Sequence, residues 1–449
     1  MVPPERSPPP RSDRPSAKRL RQALRSLFDT GRRSEGGEPI LSRARVHAIE
    51  EDLFRAFLAQ GLRPRHLFFD GTNFFSYHRG DRWFARGRRK QKQFDLNLVG
   101  LGLATAETIP VLSEVFPGNR NDMETFPEVF EALFKRLQHL EVATEKLLLV
   151  VDRGVNSVEN FDQVLGVVHV VAALKRNEAK GLLDVPLEKF RTVGRDTDEE
   201  PVLGYAAEHE GFGRSWRALV TYRRAEAAHA TAQWEKAKTK VLPQVAAWRQ
   251  GRPHTKQKVA MTKVVDLIPR EYRGIFDYGV EEVWVRNTKG QEVRRYRPRC
   301  EVSPKAESEL VASFGKAVII TDLGRTELPD EQLLEASVAR TQIEEQFKWL
   351  KDRYVLAIKP VWVWHDANIP GHLFLCVMGL TLLRYLQWEA RELQLSVKEL
   401  VERLGKIRLA VVNQNGRPHW VLEEMDMESA ELVSRFQLLE QMPRESQSA

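Results

Sequence analysis

Short apolar runs alternate with amphipathic stretches between residues 66 and 174. Five runs have the length and apolar content of strands: 66–70, 95–103, 109–115, 146–152 and 167–174. Two stretches repeat their apolar residues at helical spacing: 122–140 and 157–165. The run 146–152 is apolar at successive positions, which is typical of a strand buried on both faces. The pattern therefore predicts an α/β fold with a five-stranded sheet flanked by helices.

This regular pattern stops near residue 177 and returns near residue 317. The intervening stretch has fewer apolar runs and more charge, which indicates a domain inserted after the fifth strand. Within it, 224–248 is expected to be helical and 281–299 to form a hairpin. After it, the pattern predicts a strand, three helices and a hairpin turn: 318–322, 331–353, 371–388, 396–409 and 415–416.

Composition places the chain among globular proteins that favour a polyanionic partner. The 449 residues carry 69 Lys and Arg against 62 Asp and Glu, a net charge of +7, although a mildly basic enzyme fits the same numbers. Two cysteines are too few for a disulfide framework or a zinc site, which favours a reducing, cytoplasmic location. The most apolar run, 373–383, is far shorter than the roughly 20 residues of a membrane span, so we expect a buried helix there.

The two ends of the chain differ from its centre. Residues 1–40 are rich in Pro and Arg and show no apolar stretch of a secretory signal, so we expect a disordered basic arm. Within this arm, 17–28 has the pattern of a basic amphipathic helix that would either contact a DNA backbone or cover the core. The predicted segments are the arm, a first core part, the insertion, a second core part with C-terminal helices, and a hairpin with tail: 1–40, 41–176, 177–317, 318–410 and 411–449.

One predicted helix carries a charged stripe. Arg340, Glu344 and Lys351 fall within about 40° of one another on a helix that turns about 100° per residue. An adjacent stripe is apolar and suits packing on a core: Ile343, Phe347 and Leu350. Glu345 points about 100° away. Charge pairs four residues apart also occur on many solvated helices, so the stripe is informative only in combination with other acids.

Two aspartates supply that combination. Asp70 and Asp152 each close an apolar strand, and each is followed by turn-favouring residues. A turn or cap role would explain either one alone. With Glu344, however, they make three carboxylates on separate elements, and carboxylate oxygens are the ligands that Mg²⁺ prefers. Two such ions can support in-line phosphoryl transfer, in which positioning and charge neutralisation supply most of the catalysis.

With these residues in place, the chain resembles the DDE transposases of bacterial insertion sequences, specifically the insertion-sequence-4 type. That group has the signature Y-x2-R-x3-E-x6-K, which Arg340, Glu344 and Lys351 match, whereas Ser337 stands at the tyrosine position. Further stretches similar to the family are 70–75, 116–122, 151–154 and 371–375. The resemblance covers about residues 60 to 390.

The resemblance implies a ribonuclease-H-like mixed sheet interrupted by an insertion domain. Asp70, Asp152 and Glu344 would be the catalytic and metal-binding triad, holding two Mg²⁺ ions for which Mn²⁺ substitutes. Arg340 and Lys351 would contact phosphates of the transposon end. The implied partner is double-stranded DNA, both the inverted-repeat ends and the target. The resemblance also implies a homodimer in the DNA complex and a nucleoid-associated location. Because Ser337 stands in place of the signature tyrosine, an aromatic hydroxyl is missing. Its loss affects an expected DNA contact rather than metal binding.

Further basic and aromatic residues have two interpretations each. Arg153, Lys90 and Lys92 are candidates for DNA contact; the last two lie in the basic loop 86–92, which would otherwise be a solvated face, as would 249–258. Four tryptophans would stack an extruded base or pack in a core: Trp216, Trp234, Trp248 and Trp284. His365 and His372 are expected to be structural. Rival functions are a ribonuclease-H-like nuclease or resolvase, and a catalytically inactive DNA-binding protein derived from a transposase.

Overall fold

The computed structural model describes most of the chain apart from its termini and several short segments. The described residues are 42–77, 83–86, 96–179, 181–352, 355–356, 358, 361, 368–414 and 417–440. The predicted arm 1–40, most of the basic loop 86–92, the turn 415–416 and the end of the tail lie outside them.

The described residues form a mixed α/β structure. Its strands are β1 His66–Ser76, β2 Asn97–Ala106, β3 Ile109–Pro117, β4 Leu148–Val151, β5 His169–Ala173, β6 Arg191–Arg195, β7 Pro201–Gly211, β8 Arg214–Tyr222, β9 Phe276–Arg286, β10 Glu292–Val302, β11 Lys316–Thr321, β12 Leu409–Gln414 and β13 Arg417–Leu422. Its helices are α1 Arg43–Ala59, α2 Asp122–His139, α3 Val158–Val164, α4 Arg224–Gln250, α5 Gln257–Leu267, α6 Pro304–Ala312, α7 Asp330–Ala339, α8 Thr341–Lys351, α9 Asn368–Glu389, α10 Val397–Leu404 and α11 Met427–Arg435.

The chain divides into two compact units. Of the described residues, the first contains those within 42–150, 166–168 and 340–440, and the second contains those within 151–165 and 169–339. The predicted boundaries of an insertion domain at 177 and 317 stay a prediction.

A mixed sheet forms the centre of the first unit. Its order is β3-β2-β1-β4, with β1 antiparallel to β2 and β2 antiparallel to β3. The Leu148 N–H at the start of β4 donates to the Arg65 carbonyl just before β1, at 2.9 Å, so these two strands begin at the same edge, as parallel neighbours do. Strand β2 is buried along almost its whole length, because helices cover the sheet.

Helix α2 begins where the sequence predicts, and a capping box fixes its start. The Asn121 side chain accepts the Glu124 N–H, and the Glu124 side chain accepts the Asn121 N–H. These bonds satisfy amides that have no partner inside the helix. The acidic first turn of α2 also complements the positive end of the helix dipole.

A buried ion pair links α1 and α2. Arg136 Nη1 lies 3.2 Å from Glu50 Oε2, and both side chains are at most 5% exposed. The other Glu50 oxygen accepts the backbone N–H and the hydroxyl of Ser113 on β3. Arg136 also donates to the carbonyls of His47 and Val111. Both charges are therefore satisfied without water.

Helices α8 and α9 complete the first unit. The apolar stripe predicted on α8 is buried, and Gln346, which is fully buried, donates from Nε2 to the Thr108 carbonyl in the β2–β3 turn at 3.0 Å. Among the described helices, α9 alone has the length and hydropathy that would let a helix cross a membrane. Half of its most apolar window is buried in the fold, and a core helix passes the same test.

The second unit contains an antiparallel arrangement of strands and a separate helical core. Its strand order is β5-β11-β8-β7-β6. Around Trp234, which is fully buried, residues of α4, α5, α6 and the hairpin β9–β10 form a second hydrophobic cluster. The hairpin predicted at 281–299 is therefore confirmed with longer strands, whereas β6, β7 and β8 were not predicted.

The helix predicted over 331–353 was wrong as one element. It divides at Arg340 into α7 and α8, and Arg340 becomes the residue before the first turn of α8. Arg340 keeps helical backbone angles, with φ −57° and ψ −26°, so the spacing argument for the charged stripe still applies.

Candidate active site

Strand β1 presents three side chains on one face. Asp70, Thr72 and Phe74 are two residues apart, and alternate residues of a strand share a face. The Asp70 side chain is 8% exposed, and its Oδ1 accepts the Gly71 N–H at 2.8 Å. A strand in the middle of a sheet is rigid, so it holds this carboxylate in a fixed position.

The last residue of α8 reaches that face. The Lys351 ammonium donates to Thr72 Oγ1 and lies 5.7 Å from the centre of the Phe74 ring. It also lies 5.9 Å from the centre of the Phe347 ring, one turn earlier on its own helix. Cations are attracted to ring faces at this distance. Lys351, which was predicted to contact phosphate, is therefore bound to a residue of β1 that lies two positions after Asp70.

Glu344 lies on the same face of α8, seven residues before Lys351. Its carboxylate pairs with Arg340 at 3.0 Å, and 46% of the Glu344 side chain is exposed. This i,i+4 pair confirms that Arg340 and Glu344 lie on one face of the helix, as their spacing predicts. The Glu344 carboxylate is therefore partly accessible while it pairs with a guanidinium.

Glu345 has a different partner. It lies 3.2 Å from Arg384 on α9, whose side chain is only 2% exposed and stacks 4.1 Å from the Trp349 ring centre. Burial lowers the pKa of Arg384, and the Glu345 charge opposes that shift. Glu345 thus neutralises a buried cation between two helices of the first unit, a structural role.

Replacing the two adjacent glutamates by Gln is expected to give opposite results. Glu344→Gln removes the carboxylate that the sequence resemblance predicts as a metal ligand, and it is expected to lower the predicted strand cleavage by about 10²-fold or more. Glu345→Gln keeps an oxygen facing Arg384 and is expected to change cleavage by less than about threefold, with a loss in thermal stability because the buried Arg384 loses its carboxylate. Cleavage of end DNA and thermal denaturation, measured on both variants, check this. Equal activity losses would contradict the distinction.

The second unit contains Asp152, Arg153 and Ser337. Asp152 directly follows β4, is partly exposed, and its carbonyl accepts the Val155 N–H in the turn that follows, at 3.0 Å. Arg153 is exposed, and Ser337 is partly buried in α7. Lys90 and Lys92 lie outside the described residues. No three or more His, Cys, Asp or Glu side chains in the described part of the chain lie close enough together to hold a metal ion. The roles predicted for Asp70, Asp152 and Glu344 stay predictions.

Asp122 also lies near the candidate site, and spacing did not single it out. A cavity of about 450 Å³ beside β1 is lined by Gly71, Thr72, Asn73, Arg120, Asp122 and Lys351 among others. A Cβ on Gly71 would lie 2.0 Å from Asp122 Oδ1, so the packing of this carboxylate requires glycine at position 71. The signal available in the sequence was the stretch 116–122, which resembles the family and ends at Asp122.

Two of the four tryptophans have the predicted core role, and the use of the other two stays open. Trp216 and Trp234 are buried, and their indole N–H groups donate to the Gly211 carbonyl and to Glu307, so both pack in the core. Trp248 is partly buried beside Lys263, and Trp284 is exposed. For His372, burial lowers the pKa, consistent with a structural role, whereas His365 lies outside the described residues.

Comparisons with known proteins extend this description. The chain is similar to a solved piggyBac transposase synaptic complex with hairpin DNA, at 9% identity and a TM-score of 0.36, over 86% of this chain and 58% of that one. A Mos1 transposase paired-end complex with left transposon end is similar at 10% identity and a TM-score of 0.17, over 26% of this chain and 38% of that one. The chain thus spans less than two thirds of either solved chain.

No curated protein matches the chain significantly. The family model described as "Transposase DDE domain" matches residues 61–357, which include Asp70, Asp152, Glu344 and Lys351. Because this match spans well over half of the chain, the protein belongs to the DDE transposase family.

Proposed function

We propose that this DDE transposase is of the insertion-sequence-4 type and that it cuts DNA at inverted-repeat ends and joins the freed 3′ end to target DNA. The observation that carries the proposal is the arrangement in the first unit. Asp70 on β1 is followed two residues later by Thr72, which receives Lys351, and Lys351 shares a face of α8 with Glu344. This brings an acid and a cation to one face of one rigid strand.

Asp70, Asp152 and Glu344 are the proposed ligands for two Mg²⁺ ions, for which Mn²⁺ would substitute. Their donor atoms fit, because hard divalent cations prefer carboxylate oxygens. The Gly71 N–H donates to Asp70 Oδ1, and the Glu344 side chain is 46% exposed. When bound, the ions would neutralise the charge that develops on the phosphodiester.

The protein's own residues would then orient the substrate. Arg340, Lys351 and Arg153 are proposed to contact phosphates, since Arg and Lys bind them through charge-assisted hydrogen bonds. Lys90 and Lys92 are proposed for the same role from the sequence alone. A ribonuclease-H-like core with an insertion domain, a homodimer on double-stranded DNA, and a cytoplasmic, nucleoid-associated location belong to the same proposal.

A cleavage assay on the DNA ends that flank the gene tests this function. We expect the protein to nick labelled inverted-repeat DNA when Mg²⁺ or Mn²⁺ is present, to be inactive with EDTA, and to form joined products with target plasmid. Nicks without joined products would favour the nuclease or resolvase alternative. Binding without nicks under any metal condition would favour the inactive DNA-binding alternative, for which Ser337 at the tyrosine position leaves room.

A further inference from the structure

We propose that Thr72 is a positioning residue that holds the Lys351 ammonium ready for a DNA phosphate. The inference rests on the proposed function, since it assigns a second residue to the phosphate contact of that site. Thr72 is two residues from Asp70 on the same face of β1, and its hydroxyl oxygen accepts a hydrogen bond from Lys351. The two residues are 279 positions apart in the sequence.

The surroundings of Lys351 limit where its ammonium can lie. Phe74 and Phe347 are both buried, and their rings lie beneath the cation. Ring faces attract the charge but offer no hydrogen-bond acceptor. Thr72 supplies an acceptor, so its hydroxyl helps to fix the direction of the charged end of this long, flexible side chain.

Lys351 keeps its charge in this contact, because the Thr72 hydroxyl that accepts its hydrogen bond is neutral. Thr72 and Lys351 also line the cavity of about 450 Å³, together with Asp122 and with Arg120, which pairs with Glu128 at 2.6 Å. Because the lysine is already ordered, binding a phosphate costs less rotamer freedom.

The variant Thr72→Val removes the hydroxyl and keeps the branched shape, and Thr72→Ser is the matched control that keeps it. For Thr72→Val we expect about tenfold weaker binding of end DNA. We also expect the slope of the logarithm of the binding constant against the logarithm of salt concentration to fall by about the value of one phosphate contact. Thr72→Ser is expected to stay within about twofold of wild type. Binding is measured without divalent metal, so that cleavage does not contribute.

A double-mutant cycle distinguishes positioning from a general structural role. If Thr72 acts through Lys351, then Thr72→Val adds no further loss of binding in a Lys351→Met protein. Additive losses would overturn the inference, because they would show that Thr72 acts independently of the lysine. Thermal denaturation of each variant shows whether the fold is retained, and Thr72→Ser supplies the folded reference.

A measurement without DNA separates this inference from the proposed function. The folded protein is treated with an amine-reactive reagent, and mass spectrometry measures how fast Lys351 is acylated. This rate reports how firmly the ammonium is held. We expect acylation to be several-fold faster in Thr72→Val and unchanged in Thr72→Ser. An unchanged rate in Thr72→Val would overturn the positioning role. A faster rate in a protein whose wild type neither binds nor cuts end DNA would refute the proposed function alone.

Discussion

Asp70→Asn is expected to abolish strand cleavage, lowering its rate by at least about 10³-fold, while DNA binding stays within about threefold of wild type. Asn retains the carbonyl oxygen that accepts the Gly71 N–H, so the local fold is expected to persist. It lacks the negative charge that a divalent ion requires from its ligand. Cleavage of labelled end DNA in Mg²⁺, together with binding in its absence, measures both effects.

A matched control for this variant is Asp52→Asn on α1. Asp52 is an exposed acid whose only described ion pair is with Arg55, at 2.7 Å, and its replacement is expected to leave cleavage unchanged. Metal-dependent cleavage by Asp70→Asn at more than about a tenth of the wild-type rate would contradict the assignment of Asp70. Loss of DNA binding together with loss of the fold would also contradict it, because the prediction requires an intact protein.

Local patterns were sufficient to predict the elements that carry the candidate site. The end of β4 next to Asp152 follows from an apolar run closed by a polar residue, and the start of α2 follows from its acidic first turn and cap. The predicted end of the first strand at Asp70 was wrong, because β1 continues to Ser76 and Asp70 lies in its middle. The face shared by Glu344 and Lys351 follows from helical spacing alone. Such features depend on residues within one or two turns of each other.

Features that depend on distant residues were not predictable in the same way. Neither Gly nor Pro interrupts 331–353, so nothing in the local sequence indicates the break at Arg340. Strand β7 alternates more and less buried residues, several of them charged, which resembled a polar insertion rather than a sheet. The contacts of Lys351 with Thr72 and of Glu345 with Arg384 join residues far apart in the chain, and only the folded structure shows them.

The same distinction explains why one glutamate can be assigned a structural role from the structure. Spacing predicted that Glu345 faces away from Glu344 and Lys351, but spacing cannot say what it faces. In the structure it faces Arg384, a cation that would otherwise be buried without a carboxylate. Sequence reasoning therefore ranked the two glutamates, and the packing of α8 on α9 supplied the physical reason for the ranking.

The second large effect is expected from Arg136→Met, which should lower the free energy of unfolding by about 3–5 kcal/mol, because it leaves the Glu50 charge buried without a cation. Burial already raises the pKa of Glu50, and Arg136 is the largest influence that lowers it. Without Arg136 the folded-state pKa rises further above its unfolded value, so the variant loses stability as the pH rises through that interval.

Urea unfolding of Arg136→Met at pH 5 and pH 8 measures this, and the loss relative to wild type is expected to be larger at pH 8. The control Arg55→Met removes an exposed cation from α1 and is expected to cost less than about 1 kcal/mol. The double variant Glu50→Leu with Arg136→Met removes both charges and is expected to be more stable than Arg136→Met alone. If the double variant were instead less stable than the single one, the lost Glu50 bonds to the Ser113 N–H and hydroxyl would matter more than the unpaired buried carboxylate.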